Sequence, residues 1–486
     1  MGSKNAYFSS CNSWDVVFLK DISLKIGSGS TPRGGESAYI SERTNFAFIR
    51  SQNVYDFTFD VTGLRFISDE DANKLKGVHL QKDDVLLNIT GDGVTFSRCC
   101  LVPEEILPAA VNQHVAIIRL DTTKCLPGYL MAYLCLPETK AYIESFNAGG
   151  SRRAITKGHI ESFEIPLPPM IIQEHISRVT LGLLAKQHIN IQINQTLEQM
   201  AQALFKSWFV DFDPVVDNAL DAGFFAQNSD LPEVLLRRAE QRNAVRQRPD
   251  FTPLPAETRQ LFPAAFEACD EPSLGLGGWV PQGWSGRSIS KAITVNPKVK
   301  LTKGEMAAFV DMKSLPVTGY SIEDVDRKAF SGGAKFKQHD VLFARITPCL
   351  QNGKTGFVDF LSDGESGFGS TEFIVLRGNE FVDCTYVACL ARDEKFRQHA
   401  MQSMVGSSGR QRVQNSCFDD YFIVIPSQNI MNKFSGIVST SFKKLKTNSD
   451  EIISLANIRD TLLPKLISGE LRLKDNDPAV GADNND

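Results

Sequence analysis

The sequence predicts an α+β protein in which two similar globular repeats are joined by two long antiparallel helices that form a coiled coil. A chain of 486 residues is longer than one hydrophobic core usually organises, and 42% hydrophobic with 22% charged residues is ordinary for a folded protein. Two further observations predict the arrangement. The second half of the chain repeats the first, and each repeat ends where the hydrophobic pattern changes from a strand period to a helical period.

The repeat recurs at a spacing of about 256 to 260 residues, which is too long for a solenoid and indicates a duplicated domain. In each half, a strand of alternating polar and apolar residues ends at a threonine, Thr90 or Thr347. The features that follow agree in order and spacing. They are a strand arginine, a tyrosine before a helix, a glycine- and arginine-rich loop and an Ile-Pro pair, at Arg119 and Arg377, Tyr129 and Tyr386, residues 149–155 and 406–413, and Ile165-Pro166 and Ile425-Pro426.

After each Ile-Pro pair, apolar residues recur three and four positions apart, which predicts long helices over residues 171–209 and 430–463. Pro464 is expected to end the second helix, because proline cannot donate the backbone hydrogen bond. A helix of about forty residues cannot bury its apolar stripe alone, so the two helices are expected to pair as an antiparallel coiled coil. The alternative is that each stripe packs on its own globular repeat.

The domain boundaries follow from these features. Residues 211–286 are rich in Pro, Asp and Glu, which predicts an irregular connector with short helices and no chemistry of its own. The chain is therefore divided into a first repeat, a long helix, the connector, a second repeat, a second long helix and a disordered tail, at residues 1–168, 169–210, 211–286, 287–427, 428–472 and 473–486.

Motifs that would indicate an enzyme are incomplete. Gly353-Lys354-Thr355 lacks the earlier glycine of a phosphate-binding loop, where Pro348 stands, and is better explained as a hairpin tip. The glycine-rich residues 27–35 lack the spacing of a dinucleotide site and predict a mobile loop. We find no Asn/Asp-Pro-Pro-aromatic element of an adenine methyltransferase and no strand that combines two carboxylates with a lysine for metal-dependent cleavage. The sequence therefore predicts no catalytic centre and no metal site.

The net charge and the cysteine content indicate which partners and which cellular compartment to expect. A formal net charge of -5 is unusual for a lone DNA-binding domain, so basic residues would have to be concentrated on one surface or be supplied by partners. The 10 cysteines form no CxxC pair, which predicts reduced, buried thiols, and the 7 histidines are dispersed. The first residues contain no basic segment before an apolar run, and no stretch approaches the length of a membrane span. We therefore expect a cytoplasmic protein.

What remains is a set of loop residues that could read base edges or hold phosphates, at matching places in the two repeats. Arginine is the usual partner of guanine, and asparagine or glutamine of adenine. A solvated loop surface is the alternative for any single residue. The candidates in the first repeat are Arg33, Arg50, Gln52, Asn53, Thr90, Ser97, Arg98, Asn112, Gln113, Ser151, Arg152 and Arg153. Those in the second repeat are Lys335, Arg345, Gln351, Asn352, Lys354, Ser370, Thr371, Arg410, Gln411 and Arg412.

Together with the doubled repeat, four segments make the whole chain resemble the specificity subunits of type I restriction-modification systems: residues 195–215, 261–267, 278–284 and 458–471. The resemblance implies two target-recognition domains, residues 1–168 and 287–427, that each read one half of a split double-stranded DNA sequence. It also implies helices that set the spacing and bind partners. These partners would be two modification subunits that use S-adenosylmethionine to methylate adenine, and restriction subunits that use ATP and Mg²⁺. None of these cofactors is expected to bind this chain.

Two other functions compete with that interpretation. One is an enzyme that fuses a methyltransferase or nuclease to its own recognition module, which the missing motifs oppose. The other is a coiled-coil scaffold that does not contact DNA, such as an antitoxin-like or decoy protein. Binding of S-adenosylmethionine by the isolated chain would distinguish the first, and a DNA mobility shift with and without a methylase partner would distinguish the second.

Overall fold

The computed structural model describes residues 14–147, 153–228, 230–407 and 409–471. The chain forms two compact units. The first unit comprises residues Met1–Ile189 and Glu451–Asp486, and the second comprises Asn190–Asp450. Each unit thus contains one predicted repeat together with part of both long helices. The domain prediction had set these helices apart as separate segments.

Short strands and helices build the first unit. Its strands are β1 (Asp15–Phe18), β2 (Ser23–Ser28), β3 (Phe46–Ile49), β4 (Arg65–Ile67), β5 (Val85–Asn88), β6 (Thr90–Gly91), β7 (Cys99–Leu101), β8 (Ala109–Val111), β9 (Val115–Leu120), β10 (Arg153–Ala154) and β11 (Glu164–Leu167). Its helices are α1 (Asp69–Lys74), α2 (Pro127–Leu134), α3 (Pro137–Ser145), α4 (Lys157–Glu161), the first half of α5 (Met170–Phe205) and the last part of the second long helix, α13 (Gln428–Ser468). A four-stranded sheet has the order β2-β9-β5-β7, and a three-stranded sheet has the order β4-β3-β8.

The second unit adds a helical segment before its own sheets. Its helices are the second half of α5, α6 (Asp213–Asp221), α7 (Phe224–Gln227), α8 (Glu233–Arg246), α9 (Ala256–Arg259), α10 (Ile289–Ala292), α11 (Cys384–Arg392), α12 (Glu394–Gln402) and the first part of α13 (Gln428–Ser468). Its strands are β12 (Phe266–Ala268), β13 (Trp279–Pro281), β14 (Ser285–Ser288), β15 (Thr294–Val295), β16 (Met306–Val310), β17 (Asp326–Ala329), β18 (Ala334–Lys337), β19 (Val341–Ala344), β20 (Thr355–Phe357), β21 (Ser366–Gly369), β22 (Phe373–Arg377) and β23 (Phe422–Ile425). Its two four-stranded sheets have the orders β15-β22-β19-β20 and β17-β16-β21-β18.

The two units share one topology, which confirms the predicted duplication and the α+β class. The sheet orders β2-β9-β5-β7 and β15-β22-β19-β20 correspond strand by strand. In register, Val85 lies opposite Ile118, and Val341 lies opposite Leu376. The second sheets also correspond, since β3 is parallel to β8 and antiparallel to β4, as β16 is to β21 and β17.

A buried ion pair is repeated at the same place in both units. In the first unit, Arg119 donates from Nε and Nη2 to the carboxylate of Asp84, at 2.8 and 2.7 Å. In the second, Arg377 donates in the same way to Asp340, at 2.6 and 2.7 Å. Both carboxylates are 0% exposed, and each also accepts a hydrogen bond from a backbone N–H three residues earlier in the chain. These pairs confirm that Arg119 and Arg377 correspond.

The long helices α5 and α13 pair in antiparallel fashion within each unit. In the second unit, the Asn448 amide donates to Asn194 Oδ1 at 2.8 Å, and the rings of Phe205 and Phe434 lie 6.4 Å apart. In the first unit, Gln187 Nε2 donates to the Ile452 carbonyl at 2.9 Å. Other side chains of the same helices enter the cores of the globular parts. The helices therefore pack in both of the predicted ways, against each other and against the globular repeats.

The prediction that Pro464 ends the second helix is wrong, because α13 continues to Ser468. The residues around the proline explain the continuation. Leu463, Leu466 and Ile467 are buried in the core of the first unit. This packing holds the last turn helical despite the missing N–H of the proline.

The connector is more ordered than the predicted irregular chain. Helix α8 has 14 residues, and its arginines, four positions apart, face aspartates four positions apart on α6. Arg242 binds the carboxylate of Asp217 through Nε and Nη2 at 2.9 and 2.7 Å, with Arg238 on Asp213 and Arg246 on Asp221 on either side. Buried Val215 and Val216 join the core of the second unit. The proline-rich composition predicted an irregular chain, and the ion pairs between α6 and α8 could not be predicted because the two segments meet only after folding.

The cysteines are free thiols wherever the structure describes them. Burial raises the pKa of Cys125 and of Cys389 to about 12. Thiols of this kind stay protonated at neutral pH and pack as small apolar groups. The prediction of reduced, structural cysteines holds for these positions.

Candidate nucleic-acid interface

Loops of the first unit meet at one edge of its four-stranded sheet. Strand β2 ends, β9 begins and β5 ends at this edge, because these neighbouring strands are antiparallel. Backbone hydrogen bonds tie the loops together, from Gly29 N to Val115 O, from Ser30 N to Val111 O and from Ile89 N to His114 O, each at 3.0 Å. We call residues 29–33, 50–53, 89–98, 112–114 and 153 the first-unit cluster.

Side-chain hydrogen bonds organise the first-unit cluster further. Thr31 Oγ1 donates to Gln113 Oε1 at 2.6 Å, and Thr90 Oγ1 lies 2.6 Å from His114 Nδ1. The predicted mobile loop at residues 27–35 is therefore attached to its neighbours. Its Gly29 has no space for a side chain, because a Cβ there would lie 2.1 Å from the Val111 carbonyl oxygen. Arg33, Gln52 and Gln113 remain exposed to solvent.

The other arginines of the first-unit cluster have partners within the unit. The Arg50 guanidinium donates to the Gly63 carbonyl at 2.8 Å, and that of Arg98 lies 4.0 Å above the Tyr55 ring. Arg153 forms an ion pair with Glu144 of α3, with 2.5 Å between Nη2 and Oε1. These contacts orient the arginines but leave them partly exposed.

In the second unit, three segments meet at the corresponding edge, where β19 ends and β22 begins. Arg345 N donates to the Glu372 carbonyl at 3.0 Å, Thr347 N to the Gln411 carbonyl at 3.1 Å, and Gln411 N to Thr347 Oγ1 at 3.1 Å. We call residues 345–347, 370–372 and 410–412 the second-unit cluster. Thr371, Arg410 and Arg412 in it are exposed.

The best-defined side-chain contact in the second-unit cluster joins Arg412 to Glu372. Arg412 donates from Nε at 2.9 and 3.0 Å and from Nη2 at 2.6 Å to the two carboxylate oxygens. The Arg412 guanidinium holds the pKa of the Glu372 carboxyl below its usual value. The carboxylate is therefore ionised at neutral pH, and the pair carries no net charge.

Four predicted residues of the second repeat lie outside this cluster or point away from it. Lys335 Nζ donates to the Leu301 carbonyl at 3.0 Å, and Lys354 Nζ donates to that of Met312 at 2.8 Å. Gln351 and Asn352 are exposed on the turn that precedes β20. Arg392 fixes this turn by donating from Nη1 to the Gly353 carbonyl at 2.8 Å. The turn has the geometry of a hairpin and not that of a phosphate-binding loop.

Three residues that were predicted to contact bases are buried, which contradicts that prediction. Asn53 is 0% exposed, and its side chain accepts from Arg50 N and donates to the Asp60 carbonyl. Asn112 is 7% exposed and accepts from His114 N, and Ser97 is 6% exposed. These polar side chains stabilise loops from within and are not available to a base edge. Ser151 and Arg152 lie outside the described residues.

Sequence reasoning missed residues that hold the two clusters together. Asn88 is buried at the end of β5 and donates from Nδ2 to the carbonyls of Ser51 and Thr95, at 2.9 and 3.0 Å. A polar residue in an otherwise apolar strand indicates a buried side chain that needs hydrogen-bond partners, and this pattern could have identified Asn88. Glu144 and Glu372 left no comparable signal, because their importance depends on arginines that are distant in the sequence.

The described residues contain neither a cluster of metal-binding side chains nor a membrane-spanning helix. No group of three or more His, Cys, Asp or Glu side chains that could hold a metal ion occurs in the described ranges. None of the helices found there is long and apolar enough to span a membrane.

Comparison with known proteins identifies relatives. Residues 12–199 match the family described as the type I restriction modification DNA specificity domain. The chain is 26% identical over 472 residues to the type I restriction enzyme HindI specificity subunit of Haemophilus influenzae, covering 94% of this chain and 99% of that protein. It is 22% identical over 474 residues to the MjaIX specificity subunit of Methanocaldococcus jannaschii, covering 95% and 94%.

Among solved structures, the S subunit of a type I restriction-modification system from M. genitalium is similar with a TM-score of 0.48 and 13% identity, over 93% of this chain and 96% of that chain. The sequence matches extend over the first repeat in the family comparison and over both repeats in the comparisons with single relatives. Over residues 12–199 the chain therefore matches the type I restriction modification DNA specificity domain, and over nearly its whole length it is similar to specificity subunits of type I restriction enzymes.

Proposed function

We propose that this chain binds double-stranded DNA and that each unit reads one half of a bipartite target sequence. One observation carries the proposal: two units of the same topology present arginine- and glutamine-containing clusters at the same sheet edge. Exposed Arg33, Gln52 and Gln113 in the first unit, and Arg410 and Arg412 in the second, have the donors that recognise guanine and adenine in the major groove.

We further propose that the paired helices set the spacing between the half-sites and bind two modification subunits, with which restriction subunits then associate. Large apolar side chains are exposed on both helices and are available to contact a partner. In the first unit these are Leu181, Ile189, Ile453 and Ile458. In the second unit they are Ile191, Ile193, Met200 and Ile437.

In this proposal the chain is not itself an enzyme and acts in the cytoplasm. S-adenosylmethionine, ATP and Mg²⁺ would be bound by the modification and restriction subunits. The incomplete nucleotide and methyl-donor motifs support this division. The net charge of -5 also fits it, because partners that surround the duplex would supply further phosphate contacts.

The proposal predicts that the purified chain alone transfers no methyl group and that adding its modification subunit yields adenine methylation at one bipartite sequence. Arg153→Ala should weaken sequence discrimination in one half-site and Arg410→Ala in the other, because the two clusters belong to different units. If each arginine contacts a base, the loss of discrimination should be about 1–3 kcal/mol. The measurement is a genome-wide map of methylated adenines in cells that express each complex.

Two outcomes would contradict the proposal. Methyl transfer by the isolated chain would indicate an enzyme. Loss of sequence discrimination at the same half-site in both variants would show that the units do not read separate halves. Arg327→Ala, a change on β17 of the second unit and outside its cluster, serves as the control and should leave the methylated sequence unchanged.

A further inference from the structure

Arg412 holds its guanidinium in a geometry suited to a base edge. An arginine side chain has five N–H donors, one on Nε and two on each Nη. The carboxylate of Glu372 takes the side formed by Nε and Nη2. Within the described residues, every hydrogen bond of this guanidinium goes to Glu372. The other edge, formed by Nη1 and the second N–H of Nη2, keeps two parallel donors. Guanine O6 and N7 can accept hydrogen bonds from such a pair of donors.

A glutamate at this place also opposes contact with a phosphate. An arginine binds the DNA backbone mainly by neutralising a phosphate and releasing counterions. The Arg412–Glu372 pair has no net charge to neutralise a phosphate, and the carboxylate repels one that approaches. Hydrogen bonding to a neutral base is affected much less by this repulsion. The pair therefore favours reading a base over holding the backbone.

The first unit has the same chemical pairing at its own cluster. Arg153, which lies on β10 beside Gly91 of β6, is paired with Glu144 from α3. Glu372 and Glu144 come from different elements, so the pairing does not follow from the shared topology. A carboxylate beside an exposed or partly exposed arginine is thus present twice, on surfaces that would otherwise attract a polyanion.

We propose that Glu372 is a positioning residue that orients Arg412 toward a base edge and suppresses its contact with phosphates, so that it sets discrimination in one half-site. Glu144 has the corresponding role for Arg153 in the other. This inference rests on the proposed function. It adds that sequence discrimination depends on acidic residues that lower the affinity for non-target DNA.

The test uses the complex of the full chain with its modification subunits and the variant Glu372→Gln. Binding is measured on a duplex with the mapped target and on one with scrambled half-sites, between about 50 and 200 mM salt. We expect several-fold tighter binding to the scrambled duplex and a slope of log K against log salt that is steeper by about 0.9, as for one additional phosphate contact. Discrimination at one base pair of one half-site should fall about 10-fold, within the range of one arginine–guanine contact.

Three further variants make the test specific. Glu372→Asp keeps the charge and should retain the salt slope of the unchanged complex. Glu144→Gln should relax the other half-site. Glu365→Gln removes a matched glutamate, which binds Arg327 at 2.8 Å at the opposite end of β21, and should change neither property. Thermal unfolding of each complex identifies variants that have lost structure.

The inference is overturned if Glu372→Gln changes neither discrimination nor the salt slope, or if Gln and Asp have the same effect, which would assign the loss to packing. It is also overturned if target affinity falls while scrambled DNA binds as before, because Glu372 would then contact a base itself. An unchanged complex that methylates no defined sequence would instead contradict the proposed function.

Discussion

At the scale of single residues, the duplicated Asp–Arg pairs explain how each unit keeps two central strands of its sheet in register, at the strand ends opposite the clusters. Asp84 is 0% exposed and accepts from both Arg119 and a turn N–H, so it fixes the approach to β5 and its distance from β9. Asp340 does the same before β19. A buried carboxylate of this kind is tolerated because its charge and its hydrogen-bonding capacity are both satisfied.

Replacing Arg119 with Met should therefore destabilise the first unit by about 3–5 kcal/mol, since the change leaves an unpaired carboxylate in the core. Replacing both partners, as Asp84→Asn with Arg119→Met, should cost less than the single change, because no buried charge remains. Chemical denaturation followed by fluorescence and circular dichroism measures both. Lys74→Met, in an exposed pair with Glu70, is the control and should have little effect. An equal or larger loss in the double variant would contradict the argument.

At the scale of elements, the two long helices are matched along their seam by polar contacts as well as apolar ones. Asn448 is 0% exposed, and its amide binds Asn194, so a shift of one helix along the other would leave a buried amide without its partner. Buried asparagines at such positions specify register in coiled coils. Helix α5 has 36 residues, or about 54 Å at 1.5 Å per residue.

Lengthening both helices should lengthen the gap between half-sites without changing what the half-sites are. Four residues inserted after Gln187 in α5, and four before Glu451 in α13, keep the paired positions matched on either side of the insertion. They add about 6 Å and about 40° beyond a full turn. One base pair adds about 3.4 Å and roughly 36°, so the preferred gap should grow by one or two base pairs.

Genome-wide mapping of methylated sites measures this gap directly. The matched control inserts four residues in the loop at residues 247–250, outside both helices, and should leave the gap unchanged. An unchanged gap in the helix variant, or altered half-sites, would show that the helices bind partners without setting the spacing.

At the scale of the whole molecule, both units combine a globular core with segments of the same two helices. Each unit also leaves aliphatic side chains exposed on those segments, which supports two partner sites of similar chemistry. In the first unit, Ile453 is 56% exposed and Ile458 is 45% exposed on α13. Surfaces of this kind bind partners through the burial of apolar area.

Ile453→Glu with Ile458→Glu should weaken binding of the modification subunit to the first unit by about 10-fold or more, because a carboxylate would be buried in the complex. The proportion of complexes with two modification subunits, measured by analytical ultracentrifugation or native mass spectrometry, should fall. Ser454→Glu and Asn457→Glu, exposed positions on the same helix, are matched controls for added charge. If the Ile variant binds two modification subunits as tightly as the unchanged chain, the site lies elsewhere.

The amino-acid sequence by itself determined the duplication, the helical periods and the absence of complete enzyme motifs. These features are local or periodic, so they can be found without knowing which segments meet. It also placed polar candidates in loops, many of which proved to share one sheet edge in each unit. The correspondence of Arg119 with Arg377 was available because strand spacing is conserved between the two halves of the same chain.

Tertiary structure alone decided which of those candidates are available for contact. Asn53, Ser97 and Asn112 are buried because neighbouring loops close over them, and α13 continues past Pro464 because core packing supports its last turn. The ion pairs of Arg412 with Glu372 and of α8 with α6 join segments far apart in the chain. Burial and long-range pairing depend on how the whole chain folds, and no local pattern of residue types specifies them.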